Sequence, residues 1–362
     1  MKLRFHTILP AVLLIILIFS CSGGDPFAPP ANNGGRSVLG VDFGTQISSL
    51  IVFSRGNGSN TDLYTIFPDG TNERRLTSTK YNEDSPSFSP DGFSLAYVSD
   101  EDEDGYGNRK LMRMVSINKR IALTNNTWEF NGSSPDWGGE SIIIAEQNML
   151  TGVPFDLIRL HEVSPQGDWD TYLPVKYSAI YDPCITRTGV RVGADIPDSV
   201  SMVVFAARPG CPGEEDPGCG GSLQLIRRFS QENTVQLTHF GGGPEDPILI
   251  RNPEFQVNGS YIVFQTTFWS DDWEIGYMDV NVPDVLYRLT NNPGDDVEPV
   301  FDESGEWIAF CSDRDGNFEL YKQPFRELGL ADDETESNPA RLTNSPQNEH
   351  NPDWSGFYHW NQ

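Results

Sequence analysis

The stretch EPVFDESGEWIAFCSDRDGNFELY, residues 298–321, decides the fold. It opens on a proline followed two residues later by an aromatic, Pro299 and Phe301. A turn comes next, and then the run Trp307-Ile308-Ala309-Phe310, which reads as a buried strand. A second turn, 312–317, leads into Glu319-Leu320-Tyr321, and the pair Leu342-Thr343 follows further on.

The same order of signals recurs outward from this stretch. Leu-Thr pairs stand at Leu76-Thr77, Leu123-Thr124, Leu237-Thr238 and Leu289-Thr290, with Leu173-Pro174 in the remaining place. The proline step recurs as Pro86/Phe88, Pro135/Trp137, Pro183/Ile185, Pro253/Phe255 and Pro352/Trp354. Apolar runs follow at Leu95–Val98, Ile142–Ala145, Met202–Phe205 and Tyr261–Phe264. The turn Ser89-Pro90-Asp91-Gly92 joins two of these strands tightly, because proline fixes φ and glycine accepts positive φ. Third strands are read at Asp62-Leu63-Tyr64 and its counterparts, and the segment ending in Leu-Thr supplies a fourth. Four antiparallel strands repeating at roughly fifty residues describe a propeller blade. The expected fold is therefore all-β, a six-bladed β-propeller. The first copy lacks a proline-aromatic strand and the last, Asn351-Pro352-Asp353-Trp354, stands alone, so the C-terminal strand is expected to complete the first blade and close the ring, protecting its edges.

This repeat resembles the TolB-type, WD-like propeller repeat of bacterial envelope proteins, over about Leu50 to Trp354 and most closely at Asn291 to Tyr321. The resemblance implies a propeller and says little of activity. TolB itself has an additional α/β domain ahead of its propeller, for which only residues 22–49 are available here. The resemblance thus points to a stand-alone propeller lipoprotein.

At the N-terminus, Lys2 and Arg4 precede an apolar run from Ile8 to Phe19. Twelve helical residues cover roughly 18 Å, short of the ~30 Å hydrocarbon core, so the pattern reads as a signal peptide rather than a spanning helix. Ile18-Phe19-Ser20-Cys21 resembles a bacterial lipobox, with Phe19 where a smaller residue is usual. It implies acylation of Cys21, and acyl chains bury about 0.8 kcal/mol per CH₂. Ser22 after the cysteine implies the outer membrane, facing the periplasm. The reading is residues 1–20 signal peptide, 21–48 lipidated cysteine and Gly/Pro-rich tether, and 49–362 propeller.

Composition narrows the partners. The chain has 362 residues and a formal charge of −27, which disfavours phosphate backbones and anionic lipid surfaces. Aromatics at 11% argue for a packed protein, and 34 Gly with 26 Pro for many turns rather than low complexity.

Common enzyme signatures such as G-x-S-x-G, H-E-x-x-H and the phosphate-binding loop are absent. Asp100, Asp102, Asp104 and Asn108, around Gly105, form a candidate Ca²⁺ hairpin loop, although Leu111 at the twelfth position rejects the EF-hand form. The alternative is an acidic surface hairpin. Asp84, Asp182, Arg251, Glu298 and His350 are expected near one mouth of the central channel as a candidate ligand or cation site, the alternative being charges facing water. Propeller lyases with a manganese site assemble several histidines there, and one is available. Cys211 and Cys219 bracket a turn-rich insertion suited to a disulfide, whereas Cys184 and Cys311 are expected as buried free thiols. Residues 268–273 are aromatic enough to mark a contact surface or to pack between blades. The expected function is protein binding or scaffolding in the envelope. The alternative is small-ligand or cation binding, or an enzymatic activity, at the channel mouth.

Overall fold

The computed structural model describes residues 37–38, 41–42, 49–57, 60–101, 109–124, 134–138, 141–148, 157–168, 170–173, 179–185, 202–208, 222–227, 234–240, 248–325, 327 and 338–356. Cys21, Asp102, Asp104, Asn108, Cys211 and Cys219 lie outside them. The fold is an all-β propeller of four-stranded antiparallel sheets. After a ribbon of β1 (Ser37–Val38) and β2 (Val41–Asp42), sheet 1 holds β3 (Ser49–Gly56), β4 (Thr61–Ile66) and β5 (Arg74–Arg75). Sheet 2 is β6 (Glu83–Phe88), β7 (Leu95–Ser99), β8 (Lys110–Ser116) and β9 (Lys119–Ala122). Sheet 3 is β10 (Asp136–Gly138), β11 (Ser141–Asn148), β12 (Leu157–Val163) and β13 (Asp170–Leu173). Sheet 4 is β14 (Ala179–Ile185), β15 (Met202–Arg208), β16 (Ser222–Arg227) and β17 (Thr234–Gln236). Sheet 5 is β18 (Ile250–Phe255), β19 (Tyr261–Thr266), β20 (Glu274–Asp279) and β21 (Tyr287–Arg288). Sheet 6 is β22 (Asp296–Phe301), β23 (Trp307–Ser312), β24 (Glu319–Pro324) and β25 (Ala340–Arg341). The last strand, β26 (Asn348–Gly356), pairs with β3 of sheet 1, with Gly356 opposite Ser49 and Trp354 opposite Ile51.

The apolar runs are continuous because both faces of a sheet are covered. Along β7, Leu95 and Tyr97 pack with Leu50, Val52 and Leu63 of sheet 1, while Ala96 and Val98 pack with Trp137, Ile142 and Ile144 of sheet 3. This is the two-residue period of a strand used on both sides. Sheets 4 and 5 share Met202, Val204, Ile262 and Phe264, and sheets 5 and 6 share Val263, Tyr277, Ile308 and Phe310. Ile51, Phe53 and Trp354 of sheet 1 pack with Val297, Val300 and Leu320 of sheet 6. The wholly buried Leu, Ile, Val and Phe side chains among them contribute about 1.5–3 kcal/mol each.

The Leu-Thr pair is a clamp on the third strand. Thr77, Thr124, Thr290 and Thr343 each accept, on Oγ1, the N–H of Leu63, Leu111, Ile275 and Leu320, at 2.8–3.0 Å. The leucine before each threonine returns its own N–H to the carbonyl of that same residue, at 2.7–2.8 Å. Where arginine precedes the leucine, its Nε donates to the threonine carbonyl at 2.7 Å. Its guanidinium also pairs with the acid that starts the third strand: Arg75 with Asp62, Arg288 with Glu274, Arg341 with Glu319. The inner hairpins use one turn repeatedly, with Gly92, Gly259 and Gly305 at φ of 71°, 69° and 69°. Gly305 is required twice over, since a Cβ there would meet the Gln256 amide at 2.7 Å.

Candidate functional site

Five strands, β6, β14, β18, β22 and β26, and the residue just ahead of β10, Pro135, bring six prolines around one cavity of about 80 Å³. Each of the five strands bulges at its proline: the register with the next strand shifts between Asp84 and Ser87, Tyr181 and Cys184, Arg251 and Glu254, Val297 and Val300, and His350 and Asp353. The residue before each proline takes up the extra length with a left-handed backbone. Ser85, Asp182, Asn252, Glu298 and Asn351 have φ of 52°, 49°, 46°, 55° and 52°. Such a conformation costs roughly 1–2 kcal/mol in a non-glycine residue. Its repetition in five sheets makes it part of the architecture, a bulge that re-aims the strand towards the cavity.

Hydrogen bonds between neighbouring sheets hold these bulges. Asn252 N–H donates to Asp182 Oδ2 at 3.3 Å, and Asn351 N–H to Glu298 Oε2 at 2.7 Å. A second set runs from the residue after the proline to the backbone of the next sheet. Asp353 Oδ2 accepts the Phe88 N–H (2.5 Å), Ser87 Oγ that of Trp137 (3.0 Å), Asp136 Oδ2 that of Ile185 (2.6 Å) and Cys184 Sγ that of Phe255 (3.4 Å).

The expected mouth residues divide accordingly. Asp182 and Glu298 line the cavity, whereas at the other three positions the wall is made by Ser85, Asn252 and Asn351 in place of Asp84, Arg251 and His350. Asp84 is paired with Arg109. His350 Nδ1 lies 3.3 Å from Glu298 Oε2, and its ring is 4.8 Å from that of Phe318. Burial works to lower the His350 pKa, but Glu298 and the charges of Glu349 and Asp84 outweigh it and hold the imidazole above its ordinary value. Burial raises the Asp182 carboxyl, with Arg251 opposing.

Sequence reasoning missed the deeper residues Ser87, Asp136, Cys184, Glu254 and Asp353, which also line the cavity. A signal was available for four of them: the residue after the repeat proline is Ser, Asp, Glu and Asp in those copies, with Cys184 and Val300 in the other two. Cys184 and Cys311 are free and buried. Burial raises both thiols well above their ordinary value, and Glu254 and Asp136 add to the effect at Cys184. Of the candidate Ca²⁺ loop, Asp100 is described, and both its carboxylate oxygens accept from Asn82, its backbone N–H at 2.7 Å and its amide at 2.6 Å.

No family model matches the chain. A 64-residue stretch is 36% identical to a TolB homologue of Chlorobium luteolum, covering 18% of this chain and 15% of the relative's length. The fold is similar to crystallographic TolB from Acinetobacter baumannii, with a TM-score of 0.60 at 14% identity over 86% of this chain and 67% of that one. A TolB candidate of Agrobacterium tumefaciens gives a TM-score of 0.53 at 15% identity over 83% of this chain and 90% of the other. The chain's propeller is similar in fold to those of these TolB structures. Among the described residues, no helix is long and apolar enough to cross a membrane.

Proposed function

We propose that this chain is a bacterial envelope lipoprotein whose propeller, six-bladed and closed by β26 in the first blade, is a rigid scaffold for a protein partner. The observation that carries the reading is the size of the axial cavity. At about 80 Å³ it is well below the ~300–1,000 Å³ of pockets that take organic ligands, so recognition falls to the outer loops and faces. The pairing of β26 with β3, and the packing of sheet 6 on sheet 1, support closure. A ring of this kind presents its loops as a contact surface for a partner. The lipobox-like sequence at Cys21 supports an anchor, and the TolB likeness supports the envelope as the address. A Ca²⁺ ion in the hairpin of Asp100, Asp102, Asp104 and Asn108 belongs to the same proposal as a structural ion.

The test is capture from crosslinked bacterial envelopes with the chain from Ser22 onward as bait and Arg251→Ala/His350→Ala as comparison. One protein retained by both forms supports the scaffold. A partner lost from the double variant moves the binding site to the channel mouth, and capture of no protein by either form removes the scaffold reading.

A further inference from the structure

Asp136, Cys184 and Glu254 follow the prolines of three consecutive sheets, 3, 4 and 5. One carboxylate oxygen of Asp136, the Cys184 sulfur and one carboxylate oxygen of Glu254 all lie within 4.8 Å of one another. Asp136 and Cys184 are buried, at 8% and 3% exposure, and all three side chains face the 80 Å³ cavity. We propose that this triad is the site of a single thiophilic divalent cation of the zinc class, a use distinct from the protein-binding faces.

Three physical features support it. Donors at Zn–S of about 2.3 Å and Zn–O of about 2.0–2.2 Å stand roughly 3.5 Å apart around a tetrahedral ion. Cys184 Sγ and Glu254 Oε2 are already 3.1 Å apart, so side-chain rotations suffice. The donors are also held from behind, as ligands usually are. Ile185 N–H and Ser87 Oγ fix the two oxygens of Asp136 at 2.6 and 3.3 Å, and Phe255 N–H points at the Cys184 sulfur. Among the described residues the cavity wall also carries Asp182, Glu298 and Asp353 and no lysine, arginine or histidine, so its ionisable oxygens are all carboxylates. The fourth coordination position opens onto the cavity, which has room for water. A sulfur ligand selects zinc, cobalt or cadmium over calcium and magnesium, which take oxygen. Binding forms the metal–sulfur bond and releases the thiol proton to solvent.

The whole chain, stripped with chelator, is titrated with CoCl₂. The expected result is one equivalent bound, with a thiolate-to-cobalt absorption in the near ultraviolet that ZnCl₂ abolishes and excess CaCl₂ leaves in place. Cys184→Ser removes that absorption, whereas Cys311→Ser and the Cys211→Ser/Cys219→Ser double variant keep it. Glu254→Gln leaves the sulfur in place, retains the absorption and weakens zinc binding at least about 10-fold, the smallest loss expected even for a group that only supports a ligand, which guards against misfolding of the cysteine variant. Absence of a one-equivalent absorption in the wild-type chain, or its persistence in Cys184→Ser, overturns the proposal.

Discussion

Replacing Thr290 by valine isolates what the Leu-Thr clamp contributes. The side chain is fully buried, its Oγ1 accepts the Ile275 N–H at 2.8 Å, and it donates to Glu274 Oε2 at 2.6 Å. Valine fills nearly the same volume, so no cavity is opened and the change is confined to those two bonds. An orphaned buried N–H costs about 1–3 kcal/mol, and a hydrogen bond to a charged group contributes about 1.5–3 kcal/mol. The expected loss is about 3–5 kcal/mol. It should depend on pH, because burial pushes the Glu274 carboxyl up to about 7 despite Thr290 and Arg288. At pH 8 the carboxylate is charged and needs the hydroxyl donor, and at pH 5 it is neutral and needs it less. Urea unfolding of the whole chain, followed by tryptophan fluorescence at both pH values with a check that the slope is unchanged, measures the difference. Thr290→Ser keeps the hydroxyl and should lose only the ~0.8 kcal/mol of a methyl. A loss below about 1 kcal/mol for Thr290→Val at pH 8, or equal losses at the two pH values, would refute the clamp.

Five other outcomes check the structure and the proposal built on it. Glu274 binds its proton more tightly folded (about 7) than unfolded (4.5), and Glu349 is raised in the same direction, chiefly by burial, so the melting temperature should fall as pH rises from 5 to 8, and a flat profile would contradict this. Asp353→Ala strips the buried Phe88 N–H of its acceptor and should cost about 1–3 kcal/mol in a urea titration, while ending the chain before Asn351 should unfold or aggregate it, and an unchanged melting temperature would refute the proposed closure. Cys21→Ala should abolish incorporation of a fatty-acid label in growing bacteria, and labelling that survives the change excludes that anchor. If the hairpin at Asp100 holds Ca²⁺, chelator should lower the melting temperature and Asp102→Ala should abolish the response, whereas indifference to chelator removes the ion.

The blades were legible because their signals are local and repeated. Pro299 with Phe301, the run Trp307–Phe310 and Leu342-Thr343 each report a backbone event within one strand or turn, and six copies make the period plain. The cavity wall was read less well, for a reason seated in the backbone. Asp84, Arg251 and His350 stand two residues ahead of their prolines, whereas the bulge gives the cavity wall to the left-handed residue immediately before each proline, Ser85, Asn252 and Asn351. Asp182 and Glu298 occupy the left-handed position themselves and line the cavity. Cys184 was read from its apolar neighbours as a buried thiol, which it is, but its contacts with Glu254 and the Phe255 backbone come from another sheet and have no trace in the local sequence.

The pairing of β26 with β3 has a mechanical meaning. The folded chain enters sheet 1 at Ser49 and leaves it opposite, at Gly356, and β3 is bonded along its length to β26 on one side and β4 on the other. A pull on the N-terminal side therefore acts along β3, loading both hydrogen-bond ladders in shear, all rungs together. The same pull on an edge strand would peel rungs one at a time. A propeller held in this way should resist a pull at Ser49 and, under force, yield in one abrupt step.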